Sequence, residues 1–302
     1  MKPKHILLAL LIAAVWGFNF TVIRIGLDAF PPLLLATLRF VLAAMPVFFL
    51  PRPKLSWPRM LALGLAWFVG QFAFLFTGMA WGMPPGLASV VLQSQAFFTV
   101  TISALFLREL PRWKQTVGTC VALLGLTIIG TTAGTGGMNV LGLSLTLGAA
   151  VCWAAGNVLM RGAGKVDMLP LIVWLSIIPP LPMLALSYGL EGGERIAQAI
   201  THVGWIGIGS LAYLVLLATL FGFTAWGHLL KVYPAPTVAP FSLLVPVFGT
   251  TSSFLVLGES FGLKRLAGMA LILAGLAVVV LPPLGLFRAK TELVVPKSGA
   301  KP

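Results

Sequence analysis

Charged residues are scarce in this chain of 302 residues. Only 9% are Asp, Glu, Lys or Arg, and 7 acidic residues face 20 Lys and Arg. Since 59% of the residues are hydrophobic, the chain cannot cover its surface with polar side chains in water. Its mean hydropathy of +1.01 and its apolar runs of about 20 residues match the thickness of a bilayer core. The sequence therefore predicts an integral membrane protein, which needs the lipid bilayer and binds no nucleic acid.

The side chains that carry most metal and nucleophilic chemistry are also few. The chain has 2 cysteines and 3 histidines, and none of them form a cluster in the sequence. Cys120 and Cys152 lie within apolar runs, where each is expected to fill space without forming a disulfide. No GxxxxGK[ST] motif, which would cradle the phosphates of ATP, occurs. We therefore expect no enzymatic activity, no cofactor and no metal, and nothing indicates an obligatory protein partner.

Ten apolar runs predict ten membrane helices joined by short turns. Their expected bounds are 5–26, 32–50, 58–81, 84–107, 113–131, 139–160, 169–189, 203–229, 234–257 and 263–286. The polar and basic tail 289–302 has no apolar segment to pack against, and it is expected to be disordered.

An internal repeat organises this pattern. Residues 84–130 align without gaps to residues 234–280, and 12 of the 47 positions are identical. The shared glycines Gly118 and Gly125, repeated as Gly268 and Gly275, are expected to permit close helix packing. Trp16 and Arg24 in predicted helix one recur with the same spacing as Trp153 and Arg161 in predicted helix six. The chain therefore divides into a first half, 1–137, and a second half, 138–288, each with five helices. Because five is odd, the second half enters the membrane from the opposite side, which predicts an inverted repeat typical of transporters.

The basic residues indicate the orientation. With a cytoplasmic N-terminus, 15 of the 20 Lys and Arg residues fall in segments on the inner side and 4 on the outer side. The remaining one, Arg39, lies inside predicted helix two. The positive-inside rule therefore places both termini in the cytoplasm of a multi-pass protein.

Three motifs in this order resemble the drug/metabolite transporter superfamily, EamA type. They are Trp16-Gly17-x-Asn19, Leu38-Arg39-Phe40 and the turns that contain Glu109 and Glu259. Within it, the chain is most similar to the YddG-type aromatic amino-acid exporters of bacterial inner membranes. This resemblance implies a ten-helix basket in which helices 1, 3, 4, 6, 8 and 9 surround a central cavity. It also implies export of small metabolites, here aromatic amino acids such as Trp, Phe and Tyr.

Polar and aromatic side chains within the helices are the candidates for substrate contact. Trp16 and Asn19 share one face of helix one, and Trp153 and Asn157 share one face of helix six. Each Asn amide can line a cavity or join two helices by a hydrogen bond, and both interpretations stay open.

Helices three, four and eight add further candidates. Gln71, Phe74 and Gly78 follow Trp67 along one face of helix three, which suits a flat apolar ligand, although either ring can equally face lipid or pack in the core. Gln93 and Gln95 point about 200° apart on helix four, so one of them is expected to be structural. In helix eight, Tyr213, Leu217, Phe221, Thr224 and His228 are spaced as on one face. The candidates for substrate contact from helices four and eight are Gln93, Gln95, Tyr213 and His228.

The ionisable residues suggest how transport is driven. All seven acids lie near helix ends or in loops, and only His228 remains as a weak candidate for a proton relay. We therefore expect facilitated diffusion by alternating access; the alternatives are a proton-coupled metabolite or drug exporter and a flippase for lipid-linked substrates. Arg39 can attract a carboxylate, extend to the outer surface or pair with Asp28. Glu109 and Glu259 are expected to serve their turns by pairing with nearby Lys and Arg or by capping the next helix.

Overall fold

In the computed structural model, the residues that can be described are 1–134, 138–161, 163–164 and 166–281. This part of the chain is 83% helical and contains no strand. The boundary predicted at 137, the predicted end of helix ten at 286, the predicted end of the second half at 288 and the tail 289–302 lie outside the described residues.

In the part of the chain that the structure describes, ten long helices follow one another, close to the bounds predicted there. They are α1 (Pro3–Ala29), α2 (Pro32–Phe49), α3 (Trp57–Ala80), α4 (Pro85–Leu107), α5 (Trp113–Gly130), α6 (Val140–Met160), α7 (Met168–Glu191), α8 (Trp205–Val232), α9 (Ala235–Leu257) and α10 (Leu263–Val280). A short amphipathic helix, Gly193–Thr201, connects α7 to α8.

Nine of these helices in the described part of the chain are long and apolar enough to cross a membrane. The exception is α5, whose first turn carries Lys114 and Gln115 and is therefore more polar. It has the same length, 18 residues, as α10, against which it packs. The tenth membrane crossing stays a prediction.

Departures from α geometry recur in two corresponding pairs of helices. α3 contains a π segment at Gly64–Gly70, and α8 contains one at Tyr213–Phe221. α4 contains a 3-10 segment at Leu92–Ser94, and α9 contains one at Ala239–Leu243. The same kind of departure therefore occurs in helices three and eight, and again in helices four and nine, which occupy equivalent positions in the sequence repeat.

The turns after α4 and α9 also match each other. Each helix ends in a left-handed residue, Arg108 with φ 54° and Gly258 with φ 67°. In both turns the next residue donates its backbone N–H back into the helix, from Glu109 to the carbonyl of Ser103 and from Glu259 to that of Ser253. Arg108 occupies a conformation that favours glycine, so the shared turn geometry is kept despite the change of residue.

Glycines bring α5 and α10 together, as the sequence repeat predicts. A Cβ added to Gly118 would lie 2.6 Å from the carbonyl oxygen of Gly275, and one added to Gly125 would lie 2.6 Å from that of Gly268. Distances this short leave no room for a side chain. The prediction that these repeated glycines permit close helix packing is therefore confirmed.

Candidate functional site

The π segment of α8 anchors two side chains of the bundle centre. A π turn shifts the backbone hydrogen bonds by one residue, which leaves carbonyl oxygens available to other donors. The indole N–H of Trp16 donates to the carbonyl oxygen of Ala218 over 3.0 Å. In return, the hydroxyl of Tyr213 donates to the carbonyl oxygen of Val15 over 2.9 Å. These bonds connect α1 with the irregular part of α8.

An aromatic cluster, defined by Trp16, Trp67, Phe223 and Trp226, spans α1, α3 and α8. The ring centroids of Trp16 and Phe223 are 5.4 Å apart, and those of Phe223 and Trp67 are 6.2 Å apart. Trp226 packs on Trp16 at 5.4 Å. Tilted and edge-on rings at these distances attract one another and also present edges and faces to a planar ligand.

Arg39 is buried within the membrane region of the bundle. Its side chain lies over the ring of Phe72 at 4.4 Å, and its Nε donates to the hydroxyl of Thr219 over 2.9 Å. The residue is 2% exposed, and its Nη1 has no hydrogen-bond partner within the described chain. Asp28 pairs instead with Arg24, at 2.6 Å. The expected pairing of Arg39 with Asp28 and its extension to the surface are therefore both wrong, because Thr219 and Phe72 hold it inside.

Buried amides and hydroxyls lie in α1, α3 and α4, which pack against one another. Asn19 is 8% exposed, Gln71 4% and Gln93 9%. The Oδ1 of Asn19 and the hydroxyl of Ser94 have no hydrogen-bond partner among the described residues. An unpartnered polar atom in an apolar region is costly, so these groups are suited to accept hydrogen bonds from a bound solute or water.

Gln95 and Asn157 are placed together. The amide of Asn157 donates to the Oε1 of Gln95 over 2.7 Å and to the hydroxyl of Thr99 over 3.3 Å. The bond joins α4 to α6, so the interhelical interpretation describes this Asn. Both residues remain partly exposed.

The other predicted site residues are more dispersed. Phe74 is 41% exposed and lies beside Gly148 of α6, and Gly78 packs against the carbonyl of Gly142. Trp153 is partly buried against the core. His228 is exposed near the end of α8, with its ring centroid 5.8 Å from that of His5.

The single face predicted for helix eight is wrong. It assumed α spacing through residues 213–221, where the chain forms a π segment. There Tyr213 reaches α1, whereas Leu217 is 42% exposed. The aromatic residues that join the cluster from α8 are Phe223 and Trp226, and neither was among the predicted residues of that face. A π segment carries no signal in an apolar run, so the sequence offered no means of finding it.

The turn glutamates Glu109 and Glu259 each contact a residue far away in the sequence. Glu109 pairs with Arg161, and Glu259 accepts hydrogen bonds from the backbone N–H of Gly86, at 2.8 Å, and from the hydroxyl of Ser253. The expected contacts with neighbouring Lys and Arg, or with the following helix, are therefore wrong. Each carboxylate instead contacts the other half of the chain: Glu109 binds Arg161 at the end of α6, and Glu259 binds the first turn of α4.

One cavity of about 760 Å³ opens at the end of the bundle that holds Asp28. It lies between the ends of α1, α2, α3 and α7 and the short helix Gly193–Thr201. Its ionisable lining residues are Asp28, Glu191, Arg195 and His202. None of the predicted substrate-binding residues line this cavity, so it is distinct from the aromatic cluster.

The apolar helices and their buried polar centre define a multi-pass membrane protein. A family model described as the EamA-like transporter family matches residues 3–131 and 140–281. The chain belongs to this family of transporters.

Similar proteins extend over nearly the whole chain. A probable amino-acid metabolite efflux pump of Salmonella typhimurium is 44% identical over 287 residues, covering 93% of this chain and 96% of that protein. A protein of Escherichia coli K12 with the same description is 41% identical and covers the same shares. A probable terminal-alkyne amino-acid exporter of Streptantibioticus cattleyicolor is 28% identical over 92% of this chain and 94% of that protein.

A solved crystal structure has the same fold. It superposes with a TM-score of 0.62 at 21% identity and covers 92% of this chain and 97% of the other. At this identity the likeness concerns the fold alone.

Proposed function

We propose that the protein is a non-enzymatic exporter of amino acids and related metabolites, with a preference for aromatic side chains, in the inner membrane of a bacterium. The family and the efflux pumps at 44% and 41% identity support export of amino-acid metabolites. The observation that carries the aromatic preference is the cluster of Trp16, Trp67 and Phe223 beside the buried amide of Gln71.

The proposed binding mode divides the substrate between two kinds of contact. The rings of the aromatic cluster pack against the apolar part of the solute in tilted or edge-on geometry. The Oδ1 of Asn19, which has no partner among the described residues, accepts a hydrogen bond from the ammonium group of the substrate. Gln71 lies one turn beyond Trp67 in α3, and it offers both a donor and an acceptor to the polar end.

Ten membrane crossings in two inverted halves are proposed as the architecture for alternating access. The contacts Gly118–Gly275 and Gly125–Gly268 support it, because early positions of α5 meet late positions of α10. The two helices are therefore antiparallel, and exchanging repeat-equivalent residues converts one contact into the other. A two-fold axis between antiparallel membrane helices lies in the membrane plane, as in transporters built from inverted repeats. In this arrangement both termini face the cytoplasm.

We propose that the substrate gradient drives transport. The carboxylates of Asp28, Glu109, Asp167 and Glu191 are engaged by basic side chains or backbone N–H groups at helix ends. None of these four is available deep in the membrane for the proton relay that a coupled carrier needs. The proton-coupled exporter remains an alternative that an imposed pH gradient tests directly.

Purified protein in liposomes, with a panel of radiolabelled amino acids, sugars and nucleobases, tests the function. We expect uptake of Trp, Phe and Tyr down their gradients, without stimulation by an imposed pH gradient. Preference for nonaromatic solutes would remove the proposed substrate class. Transport of a lipid-linked substrate that free Trp does not inhibit would instead identify a flippase.

The site itself is tested with Gln71→Leu. We expect this variant to lose most uptake of Trp while it keeps wild-type expression. The control is Gln198→Leu, which removes an exposed amide on the short helix at the cavity beside Asp28, away from the aromatic cluster, and is expected to transport normally. Wild-type uptake by Gln71→Leu would exclude Gln71 from the site.

A further inference from the structure

Two repeat-equivalent glutamates, Glu109 and Glu259, sit in matching turns but bind different groups. Glu259 accepts a 2.8 Å hydrogen bond from the N–H of Gly86 in the first turn of α4, and its second oxygen is buried without a partner in the described residues. Glu109 binds Arg161 at the end of α6, where both side chains are about half exposed, 55% and 42%.

The helix starts of α4 and α9, which these glutamates face, also differ in how deeply they are buried. The first segment of α4, Pro85–Val91, is buried at all 7 positions. The corresponding residues of α9, 235–241, are exposed or partly exposed except Val238. Around the start of α4, the end of the bundle that holds Glu259 is therefore sealed, although the separate cavity beside Asp28 opens at the same end. Around the start of α9, the end that holds Glu109 is looser.

The repeat-equivalent basic residues Arg161 and Arg24 also bind different partners. Arg161 of α6 corresponds to Arg24 of α1, which pairs with Asp28 on its own helix at 2.6 Å. α1 runs parallel to α9, since Gly17 packs on Val245 and Thr21 bonds Ser252 at 2.9 Å. Arg24 thus lies at the same end of the bundle as Glu259, as Arg161 lies at the same end as Glu109.

We propose that Glu259 and Glu109 are alternating latches, positioning residues for the alternating access proposed above. In the present state Glu259 caps α4 and closes its end, while Arg161 holds Glu109 away from α9. In the opposite state Glu259 leaves Gly86 and pairs with Arg24, and Glu109 leaves Arg161 and binds the start of α9. Glu259 exchanges one charge-assisted contact for another, so its carboxylate keeps a partner in both states.

The two latches are unequal because Pro236 stands where Gly86 stands in the other half. Proline has no N–H, so Glu109 lacks the donor that Glu259 uses. The state sealed at the end that holds Glu259 is therefore favoured in the absence of substrate.

The test uses two repeat-equivalent reporter positions, Ser89→Cys in α4 and Ala239→Cys in α9, in a chain with Cys120→Ala and Cys152→Ala. Maleimide labelling rates are measured on purified protein in detergent, so that no substrate or membrane orientation is required. We expect slow labelling at position 89, and an increase of about fivefold with Glu259→Gln, as loss of a helix cap worth about 1 kcal/mol predicts.

Matched variants separate a latch from a general loosening. Glu109→Gln and Arg24→Gln, which leave the Gly86 contact intact, are expected to keep position 89 slow. An unchanged rate in Glu259→Gln, or an equal increase in Glu109→Gln, would overturn the proposal. Because labelling needs no substrate, a latch response without amino-acid transport would refute only the proposed function, and transport without a latch response would refute only the latches.

Discussion

The indole N–H of Trp16 in α1 donates to the carbonyl oxygen of Ala218, 3.0 Å away, inside the π segment of α8. The bond places one ring of the aromatic cluster by means of a backbone irregularity in another helix. It leaves no space on α8 at Gly222, where an added Cβ would lie 2.5 Å from the indole nitrogen. Ring position and helix geometry are thus fixed together.

Trp16→Phe keeps a ring at this position but removes the hydrogen bond. We expect a loss of stability of about 1 kcal/mol, as for a typical buried hydrogen bond, together with a raised KM for Trp. Thermal unfolding in detergent and liposome uptake measure the two effects. Trp226→Phe, which alters the neighbouring ring of the same cluster, is the control and is expected to change stability less. Equal losses in both variants would show that ring size matters and that the hydrogen bond does not.

Arg39→Lys tests the buried cation. A lysine cannot reproduce the planar stacking on Phe72 together with the bond to Thr219, so we expect stability to fall by about 2 kcal/mol. Arg24→Lys is the matched exchange in a pair whose side chains are 43% and 68% exposed, and it is expected to cost less than about 1 kcal/mol. Unfolding temperatures that fall equally would contradict a special role for the buried site.

Gly118→Ala is expected to separate α5 from α10. Its Cβ would meet the carbonyl oxygen of Gly275 at 2.6 Å, and overpacking of this kind costs more than about 1 kcal/mol. Gly130→Ala, on the same helix, adds a methyl group with no atom within 4 Å and should unfold at the wild-type temperature or slightly above it. A wild-type melting temperature for Gly118→Ala would contradict the close contact.

Pro236→Ala supplies the N–H that the start of α9 lacks. We expect it to stabilise the state sealed at the end that holds Glu109, so that Ala239→Cys reacts more slowly with maleimide and Ser89→Cys more quickly. Both changes should disappear when Glu109→Gln is added. Persistence of the shift in that double variant would mean that Pro236 acts through helix flexibility and not through Glu109.

The sequence predicted the elements of this fold better than their contacts. Within the described residues, apolar runs located the helix starts and ends to within about three residues, because the length of a hydrophobic run can be read from the sequence. The repeated glycines of α5 and α10 also indicated their packing. In contrast, the pairing of Arg39 with Thr219, which is 180 positions away, depends on tertiary packing and on a π segment that no pattern reveals.

The candidate site shows the same division. Trp16, Asn19 and Gln71 were selected as polar or aromatic residues within apolar helices, and all three lie in the bundle interior or partly buried in it. Phe223 was missed because periodicity assumes regular α geometry, which residues 213–221 do not have. Which helix each amide faces was likewise not predictable, as the bond between Gln95 and Asn157 illustrates.

The backbone contact between α5 and α10 gives this molecule a constant internal reference distance. Gly118 and Gly275 touch without intervening side chains, so the two helices cannot slide or part without breaking contact along their common seam. The native Cys120, exposed on α5, is a convenient attachment point for a spin label paired with one on α10. The distance between such labels should stay constant while other helices move, which calibrates every other distance measured in the transport cycle.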